Sequence, residues 1–175
     1  MKKPRSNVAV RAETAADIGR INRVIEAAFR DAPYSSHTEQ FIVNELRRCD
    51  GLSISLVAVD QSDDTIVGHV AISPVTVSSG ATGWYGLGPV AVQPARQNEG
   101  IGSTLVRAAL AELQRLGGAG CVVLGDPRYY SRFGFKHYPG LELPGVPPDH
   151  FLALSFGAEM PIGHVDYHEA FEATA

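Results

Sequence analysis

Apolar residues recur at helical spacing in the first fifty positions of the chain. A short alternating strand is predicted at residues 8–11, and two amphipathic helices follow it. In the first helix the apolar side chains lie three or four residues apart: Ile18, Ile21, Ile25 and Ala28 or Phe29. Thr14 and Asp17 form a capping box at its start, and a second capping box at residues 36–39 accounts for Glu39. The pattern therefore predicts strand, helix, helix.

The middle of the chain alternates between strand and helix patterns. Two segments rich in Val and Ile, residues 52–59 and 65–77, predict an antiparallel hairpin. A strand at residues 86–92, a long helix at residues 100–116 and a buried strand at residues 121–124 follow. This order predicts a right-handed crossover between parallel strands.

The pattern becomes less regular after Pro127. A helical turn at residues 129–133 precedes a loop rich in Pro and Gly at residues 139–148 and an apolar strand at residues 151–156. Too few residues follow for a second core, so residues 1–175 are predicted to form a single α/β domain. An antiparallel edge strand near the C-terminus could pair with a second copy, which leaves a homodimer open.

Composition narrows the partner and the compartment. Fifteen basic residues against 19 acidic ones give a net charge of −4, without a long basic run, which argues against nucleic acid and mildly favours a cationic substrate. Cys49 and Cys121 are too few for a disulfide framework, and we expect both to be small buried hydrophobes in a reducing compartment. Residues 1–7 are basic but lead into no apolar segment, and no stretch approaches the roughly 18 apolar residues of a membrane span. We therefore expect a cytoplasmic protein without a membrane partner.

The turn between residues 86–92 and the following helix carries the clearest chemical signal. The strand breaks at Pro94, and Gly100 and Gly102 open the helix. Glycines at a helix start let successive backbone amides surround an anion, and the helix dipole adds its positive end. The same glycines would also allow tight packing of the helix on the sheet. Neither a P-loop nor a complete dinucleotide fingerprint is present, which favours a different diphosphate ligand.

At this turn the chain resembles the GNAT superfamily of N-acetyltransferases. The acyl-CoA signature of that family, Gln/Arg-x-x-Gly-x-Gly/Ala, matches these residues: Gln97, Asn98, Glu99, Gly100, Ile101 and Gly102. One strand later, residues 129–135, Tyr-Tyr-Ser-Arg-Phe-Gly-Phe, look like the family motif Phe-Tyr-x-Lys/Arg-x-Gly-Phe. With the segment at residues 163–171, the chain looks most like the YhbS-like branch of predicted acetyltransferases.

The resemblance implies the fold and the cosubstrate. The fold would be GNAT-like, with a mixed, mostly antiparallel central sheet, helices on both faces and a splayed pair of parallel strands. Acetyl-CoA would be the cosubstrate without a metal, its pantetheine lying between the strands at residues 87–92 and 121–124. The resemblance assigns the following residues to the cosubstrate: Val90, Ala91, Val92, Gln97, Asn98, Glu99, Gly100, Ile101, Gly102, Ser103, Asp126 and Tyr130.

Two of these residues would take part in catalysis. An amide near Val92 would stabilise negative charge on the thioester oxygen, and Tyr130 would protonate the departing thiolate. A free tyrosine titrates near 10 and a thiol near 8.5, so full proton transfer would be uphill by roughly 2 kcal/mol. Donation of a strong hydrogen bond fits Tyr130 better. Packing against the core is the alternative for Tyr130 and the expectation for Tyr129.

The residue that accepts the amine proton is not evident from the sequence. Glu39, His69 and Glu45 are candidates, but each has a structural explanation: a capping box, a strand position beside Gly68 and a solvated helix face. Water could carry the proton instead. One further pair, His164 and His168, has the spacing of half a zinc site without further ligands nearby, so we expect both to be surface residues.

Two positions depart from the family pattern. Glu99 places a negative charge where relatives often carry a basic residue, which would weaken CoA binding unless Arg96 compensates. Asp126 stands with Pro127 where the family usually has Asn, and it either lines the pantetheine tunnel or starts the helical turn.

The sequence thus predicts direct transfer of an acetyl group from acetyl-CoA to a primary amine in a ternary complex. A small-molecule amine, an amino acid and a protein amine all remain open as acceptors. The alternatives are a noncatalytic sensor or partner module that binds acyl-CoA, and a protein that binds another diphosphate.

Overall fold

The computed structural model describes residues 7–175, in which a central sheet lies between helices. The helices are α1 (Ile18–Phe29), α2 (Glu39–Arg48), α3 (Ile101–Arg115) and α4 (Pro127–Tyr130). The strands are β1 (Val8–Ala12), β2 (Ile54–Asp60), β3 (Thr65–Pro74), β4 (Thr76–Val77), β5 (Trp84–Val92), β6 (Gly120–Leu124), β7 (Leu141–Glu142), β8 (Phe151–Ser155) and β9 (Gly163–Asp166). No helix among these residues is long and apolar enough to cross a bilayer.

The six-stranded sheet has the order β1-β2-β3-β5-β6-β8. Its neighbours are antiparallel except for β5 and β6, which run parallel and are joined by α3. A small second sheet has the order β4-β9-β7. The prediction of a mixed, mostly antiparallel sheet with one parallel pair is confirmed, and so is the crossover through a long helix.

Helices cover both faces of the large sheet. Val57 packs in a cluster with Ile21 and Ile25 of α1, whereas the next residue, Ala58, packs in a cluster with Leu105 and Ala109 of α3. Because successive side chains of a strand point to opposite faces, α1 and α3 lie on opposite sides of the sheet. The alternation of apolar positions thus places one helix layer on each face.

The start of α2 differs from the prediction. The first capping box is present, since the amide of Thr14 donates to Asp17 at 2.8 Å. The second one is wrong, because α2 begins at Glu39 with Thr38 as its N-cap. The Ser36 hydroxyl is hydrogen-bonded to the Thr38 hydroxyl at 2.6 Å and caps no amide. Glu39 is therefore not explained by capping.

Two details of the sheets differ from the prediction. Residues 65–77 form two strands, because the chain leaves the large sheet after β3 and β4 pairs with β9 instead. The outer edge of β8 is partly covered, since Lys136 exchanges two backbone hydrogen bonds with Ala153, at 3.0 and 2.8 Å. Less of this edge is available to a second copy than the sequence suggests.

Candidate active site

A gap opens between the two parallel strands of the sheet. β5 and β6 pair only through Trp84 with Gly120, Tyr85 with Cys121 and Gly86 with Val122. From Leu87 onward β5 pairs with β3 alone. The edge of β5 that faces β6 is therefore unpaired over residues 87–92, and the parallel pair splays as the resemblance implies.

Backbone amides of β5 point into this gap. The amide of Gln93 donates to the carbonyl of Val67 on β3 at 2.9 Å. Because successive amides of a strand point to opposite edges, the amide of Ala91 points toward β3 and those of Val90 and Val92 toward the gap. Two predicted residues, Val90 and Val92, therefore offer donors to a ligand in the gap, whereas Ala91 does not.

A cavity of about 440 Å³ lies where the gap opens. Leu87, Val90 and Leu124 line its strand side, and Tyr130 and Glu39 contribute polar groups. Val92 does not line the cavity, because it lies two residues beyond Val90 along β5. A more open depression of about 700 Å³ lies elsewhere, between α1 and residues 63–66 and 93–95. We take the smaller cavity as the candidate site because it adjoins the unpaired strand edge.

Tyr130 is fixed by aromatic packing at the wall of this cavity. Its ring packs edge-on against Tyr129, with centroids 4.9 Å apart, and against the buried Phe135 at 5.9 Å. A Cβ at Gly125 would lie 2.3 Å from the Tyr130 ring, so only glycine admits the ring there. Burial, with a smaller effect of Tyr129, raises the pKa of Tyr130 above its ordinary value. The phenol therefore stays protonated at neutral pH and can donate a hydrogen bond.

Asp126 begins the helical turn that carries Tyr130. Its side chain accepts a hydrogen bond from the amide of Arg128 at 2.9 Å and forms an ion pair with the Arg128 guanidinium at 3.0 Å. The hydrogen bonds from Arg128 lower the pKa of Asp126, and the attraction of the Arg128 charge has a smaller effect in the same direction. Of the two roles expected for Asp126, the structure shows the start of the turn. Its carboxylate does not line the cavity.

The predicted anion-binding turn has the backbone that such a site needs. Gly100 is the N-cap of α3 with φ of +84°, a left-handed conformation that favours glycine. A Cβ at Gly102 would lie 3.1 Å from Tyr129 Oη, so this glycine allows a close approach between α3 and α4. The first amides of α3 have no partner within the helix, and the helix dipole is positive at this end. The turn at residues 97–103 therefore suits a diphosphate.

The negative charge of Glu99 is partly compensated by Arg96. Its carboxylate forms an ion pair with Arg96 at 2.9 Å, and Arg96 also pairs with Asp60 at 2.6 Å. Hydrogen bonds from Ser62 and then from Arg96 lower the pKa of Asp60 to about 2. Arg96 is thus shared by two carboxylates, and the three side chains together keep one negative charge, so the expected weakening of CoA binding by Glu99 is reduced but not removed.

The three candidate proton acceptors lie in different places. Glu39 lines the cavity together with Tyr130. Glu45 faces outward from α2 and forms an ion pair with Arg48 at 2.5 Å, as expected for a solvated helix face. His69 lies on β3 as predicted, but it is fully buried and does not line the cavity. The structure therefore brings only Glu39 of these three to the cavity.

His164 and His168 do not share a site. The side chain of His164 is 62% exposed, as expected. His168 is partly buried, and its Nδ1 accepts a hydrogen bond from the amide of Ala170 at 3.1 Å, so the expectation of a surface residue is wrong for it. Among residues 7–175 no group of three or more His, Cys, Asp or Glu side chains is arranged to hold a metal ion.

The sequence did not identify the far wall of the cavity. Tyr167 and Phe171 from the C-terminal segment and Leu143 from the loop before β8 close it. A Cβ at Gly86 would lie 2.5 Å from the Tyr167 ring, so the glycine in β5 admits this ring. The aromatic residues of the C-terminal segment were a usable signal, but their contact with β5 spans about 80 residues of sequence and follows no local pattern.

The chain matches a known protein family and a named relative in sequence. The family model described as the acetyltransferase (GNAT) family matches residues 21–135. The Escherichia coli K12 protein named uncharacterized N-acetyltransferase YhbS is 33% identical over 171 residues, which cover 93% of this chain and 97% of that protein.

Solved structures give the same relationship. A GNAT family acetyltransferase from Brucella melitensis, crystallised with acetyl-CoA, is 47% identical with a TM-score of 0.84, over 95% of this chain and 99% of that one. The Escherichia coli YhbS structure in complex with CoA is 30% identical with a TM-score of 0.84, over 100% of this chain and 97% of that one. Both similarities extend over nearly the whole chain.

Proposed function

Because this chain belongs to the acetyltransferase (GNAT) family, we propose that it transfers an acetyl group from acetyl-CoA directly to a primary amine in the cavity beside Tyr130. The chain is an acyl-CoA-dependent N-acyltransferase that uses acetyl-CoA as cosubstrate. The proposal concerns the residues that perform the transfer and the order of events. Both substrates are bound together, and no covalent enzyme intermediate forms.

The unpaired edge of β5 and the turn after it would hold the cosubstrate. In the proposal the amides of Val90 and Val92 bond the pantetheine. The amides of residues 98–103 hold the pyrophosphate, since the Gln97 amide already donates to the Pro94 carbonyl at 3.4 Å. The two amides that point into the gap support the first assignment. The left-handed Gly100 at the start of α3 supports the second, because it lets the first helix amides converge on an anion.

The transfer needs one bond made and one broken. The amine nitrogen bonds to the thioester carbon, the carbon–sulfur bond breaks, and the sulfur takes the electron pair. Amides of β5 that point into the gap stabilise the negative charge that develops on the thioester oxygen. Tyr130 donates a strong hydrogen bond to the departing sulfur, and its raised pKa keeps this donor protonated.

The position of Tyr130 at the strand gap carries this proposal. Replacing Tyr130 by Phe removes the hydroxyl and keeps the ring that packs on Phe135. We expect kcat to fall about 100-fold, the lower end of what a positioned proton donor contributes. The dissociation constant for CoA should change less than about twofold, because the binding amides are untouched. Thiol release and calorimetric titration measure the two quantities.

The neighbouring tyrosine provides the matched control. Tyr129→Phe removes a hydroxyl that lies 3.4 Å from Ser103 Oγ. Because Tyr129 does not line the cavity, kcat should stay near the wild-type value. Equal losses in both variants would contradict the role of Tyr130. A wild-type protein that binds acetyl-CoA but releases no thiol with any amine would favour the sensor alternative. Binding of ADP as tight as that of CoA would favour another diphosphate ligand.

The cytoplasm is the compartment that we infer. Cys49 and Cys121 are both unpaired. Cys121 is fully buried, and burial raises the pKa of its thiol, so it behaves as a small apolar side chain. Unpaired cysteines fit a reducing compartment.

A further inference from the structure

Glu39 lines the cavity and carries a buried carboxylate oxygen without a partner among residues 7–175. Its Oε1 accepts a hydrogen bond from the Ser35 hydroxyl at 2.6 Å. Its Oε2 is buried and has no hydrogen-bond partner among residues 7–175. A buried polar atom without a partner is costly, so native structures keep few of them. A donor from a bound molecule would satisfy this oxygen.

Apart from the hydroxyl of Tyr167, the other side chains on the acceptor side of the cavity are apolar. Phe29 and Ile42 line it from the helices, and Leu143 and Phe171 line it from the C-terminal half. The Tyr167 ring packs against Phe171 with centroids 4.9 Å apart. Among the described residues that line the cavity, none is Lys, Arg or His. The wall therefore offers one anionic group and a surface suited to hydrocarbon.

One carboxylate in a mostly apolar wall favours some of the possible acceptor amines over others. Resting on the proposed transfer function, we propose that the acceptor is a primary amine with an apolar body, bound by Glu39 through its nitrogen. An amino acid would bring a carboxylate that no basic side chain of the cavity wall receives, at the cost of burying an unpaired charge. A polyamine would bring a second ammonium group into an apolar wall with one carboxylate.

Glu39 also completes the proton balance of the reaction. An ammonium group loses two protons when it becomes an amide. One proton ends on the CoA sulfur, carried there by water while the Tyr130 hydroxyl donates a hydrogen bond to the sulfur. Glu39 Oε2 accepts the other from the attacking nitrogen and releases it to water. Tyr130 and Glu39 line the same cavity, so the donor to the sulfur and the acceptor of the amine proton serve one site.

A panel of amines tests the acceptor class. Thiol release from acetyl-CoA is measured with hexylamine and benzylamine, and with glycine, ethanolamine and putrescine. We expect kcat/KM for the two apolar amines to exceed that for the other three by at least about tenfold, since each buried methylene contributes to discrimination. Equal or better turnover of glycine, ethanolamine or putrescine would overturn the proposal. Absence of turnover with hexylamine and benzylamine would also overturn it.

The role of Glu39 is tested by two matched variants of α2. Glu39→Gln removes the charge and keeps the shape, and we expect kcat/KM for hexylamine to fall about 10- to 100-fold. Glu45→Gln makes the same change on the outer face of α2 and should leave kcat/KM unchanged. The dissociation constant for acetyl-CoA should stay at the wild-type value in both. An unchanged kcat/KM in Glu39→Gln would overturn the assignment.

The outcomes separate this inference from the function on which it rests. If acetyl-CoA does not bind, or if Tyr130→Phe leaves turnover unchanged, the proposed function fails. If acetyl-CoA binds and polar amines are acetylated through Tyr130, the proposed function holds and only the acceptor class is wrong.

Discussion

Two groups of polar side chains in this protein contain the residue types of acid–base chemistry. The buried network consists of Glu13, Arg47, Ser55 and His69, and the cavity contains Glu39, Tyr130 and Tyr167. In the buried network, Arg47 binds both oxygens of Glu13, at 2.7 and 2.9 Å, and the Ser55 hydroxyl joins Glu13 to His69. In the cavity, Glu39 Oε2 and the Tyr167 hydroxyl have no partner among residues 7–175. In the first group Glu13 and Ser55 have partners and His69 Nδ1 has none among residues 7–175, whereas in the second group the unpartnered atoms belong to residues that line the cavity.

The contrast shows that access, and not residue type, separates structure from function here. A histidine beside a serine and a glutamate resembles a catalytic arrangement, yet His69 is fully buried and burial lowers its pKa to about 4. The ring is neutral at pH 7 and no substrate reaches it. The sequence explains Glu39 by a capping box, yet Glu39 lines the cavity. We therefore expect changes in the buried network to alter stability and changes in the cavity to alter turnover.

The largest effect on stability is expected from Arg47→Met. This change leaves the Glu13 carboxylate, 16% exposed, without its cation. Breaking a buried ion pair costs about 3 kcal/mol, and partial exposure keeps the loss at this lower end. Urea denaturation measures the free energy of unfolding. The kcat of the folded variant should stay within about twofold of wild type, because Arg47 does not line the cavity.

Arg48→Met is the control for this prediction. Arg48 is 74% exposed and pairs with Glu45 at the surface, so its loss should leave the unfolding free energy unchanged. Equal destabilisation by the two variants would show that the buried network contributes no more to stability than a surface ion pair. A large loss of kcat in Arg47→Met would contradict the expectation that the buried network affects stability and not turnover.

A smaller effect is expected from pH through His69. The pKa of His69 is about 4 in the folded protein and 6.5 without the fold, mainly because burial disfavours the charged ring. The unfolded chain therefore binds a proton first on acidification, and stability is complete above pH 6.5 and falls between pH 6.5 and 4. For this group alone the loss between pH 7 and pH 5 is about 2 kcal/mol.

Glu13 acts in the same direction at lower pH. Burial opposes its ionisation, but hydrogen bonds from Arg47 and Ser55 outweigh burial and lower its pKa below 4.5. Its contribution is therefore lost only as pH falls below 4.5. Urea denaturation at pH 7 and 5 should show a smaller difference in His69→Gln than in wild type, and His164→Gln, at an exposed position, should behave as wild type. An unchanged slope in His69→Gln would contradict the burial of a neutral His69.

The smallest effect on stability is expected from Glu39→Gln. Glu39 forms no ion pair with a described residue and caps no helix amide, so removing its charge should change the free energy of unfolding by less than about 0.5 kcal/mol. The same variant should lose activity with amines. Thermal unfolding without ligand provides the measurement. A destabilisation as large as that of Arg47→Met would place Glu39 with the buried network.

Local patterns in the sequence predict most of the fold and part of the site. The apolar spacing in α1 and α3, the capping box at Thr14 and the turn at Gly100 depend on residues close in sequence, and the structure agrees with them. The role of Glu39 was obscured because Ser36 and Glu39 have the spacing of a capping box. The structure shows that the helix starts at Glu39 with Thr38 as its N-cap, and the Ser36 hydroxyl bonds to the Thr38 hydroxyl instead of capping an amide.

The acceptor wall depends on contacts that no local pattern encodes. Tyr167 reaches Gly86 and packs with Phe171 because the C-terminal segment folds back against β5. The same is true of the buried network, in which Glu13 meets Arg47 and Ser55 across 34 and 42 positions of sequence. These pairs depend on strand order and register, which sequence spacing alone does not determine.

A crystal structure with a bisubstrate inhibitor tests the central claim most directly. In this compound hexylamine is joined through an acetyl group to the sulfur of CoA. The account predicts that the pantetheine lies between β5 and β6, that the sulfur contacts Tyr130 Oη, and that the amide nitrogen contacts Glu39 Oε2. An inhibitor bound outside the gap between β5 and β6, or a nitrogen placed beside His69, would contradict the account.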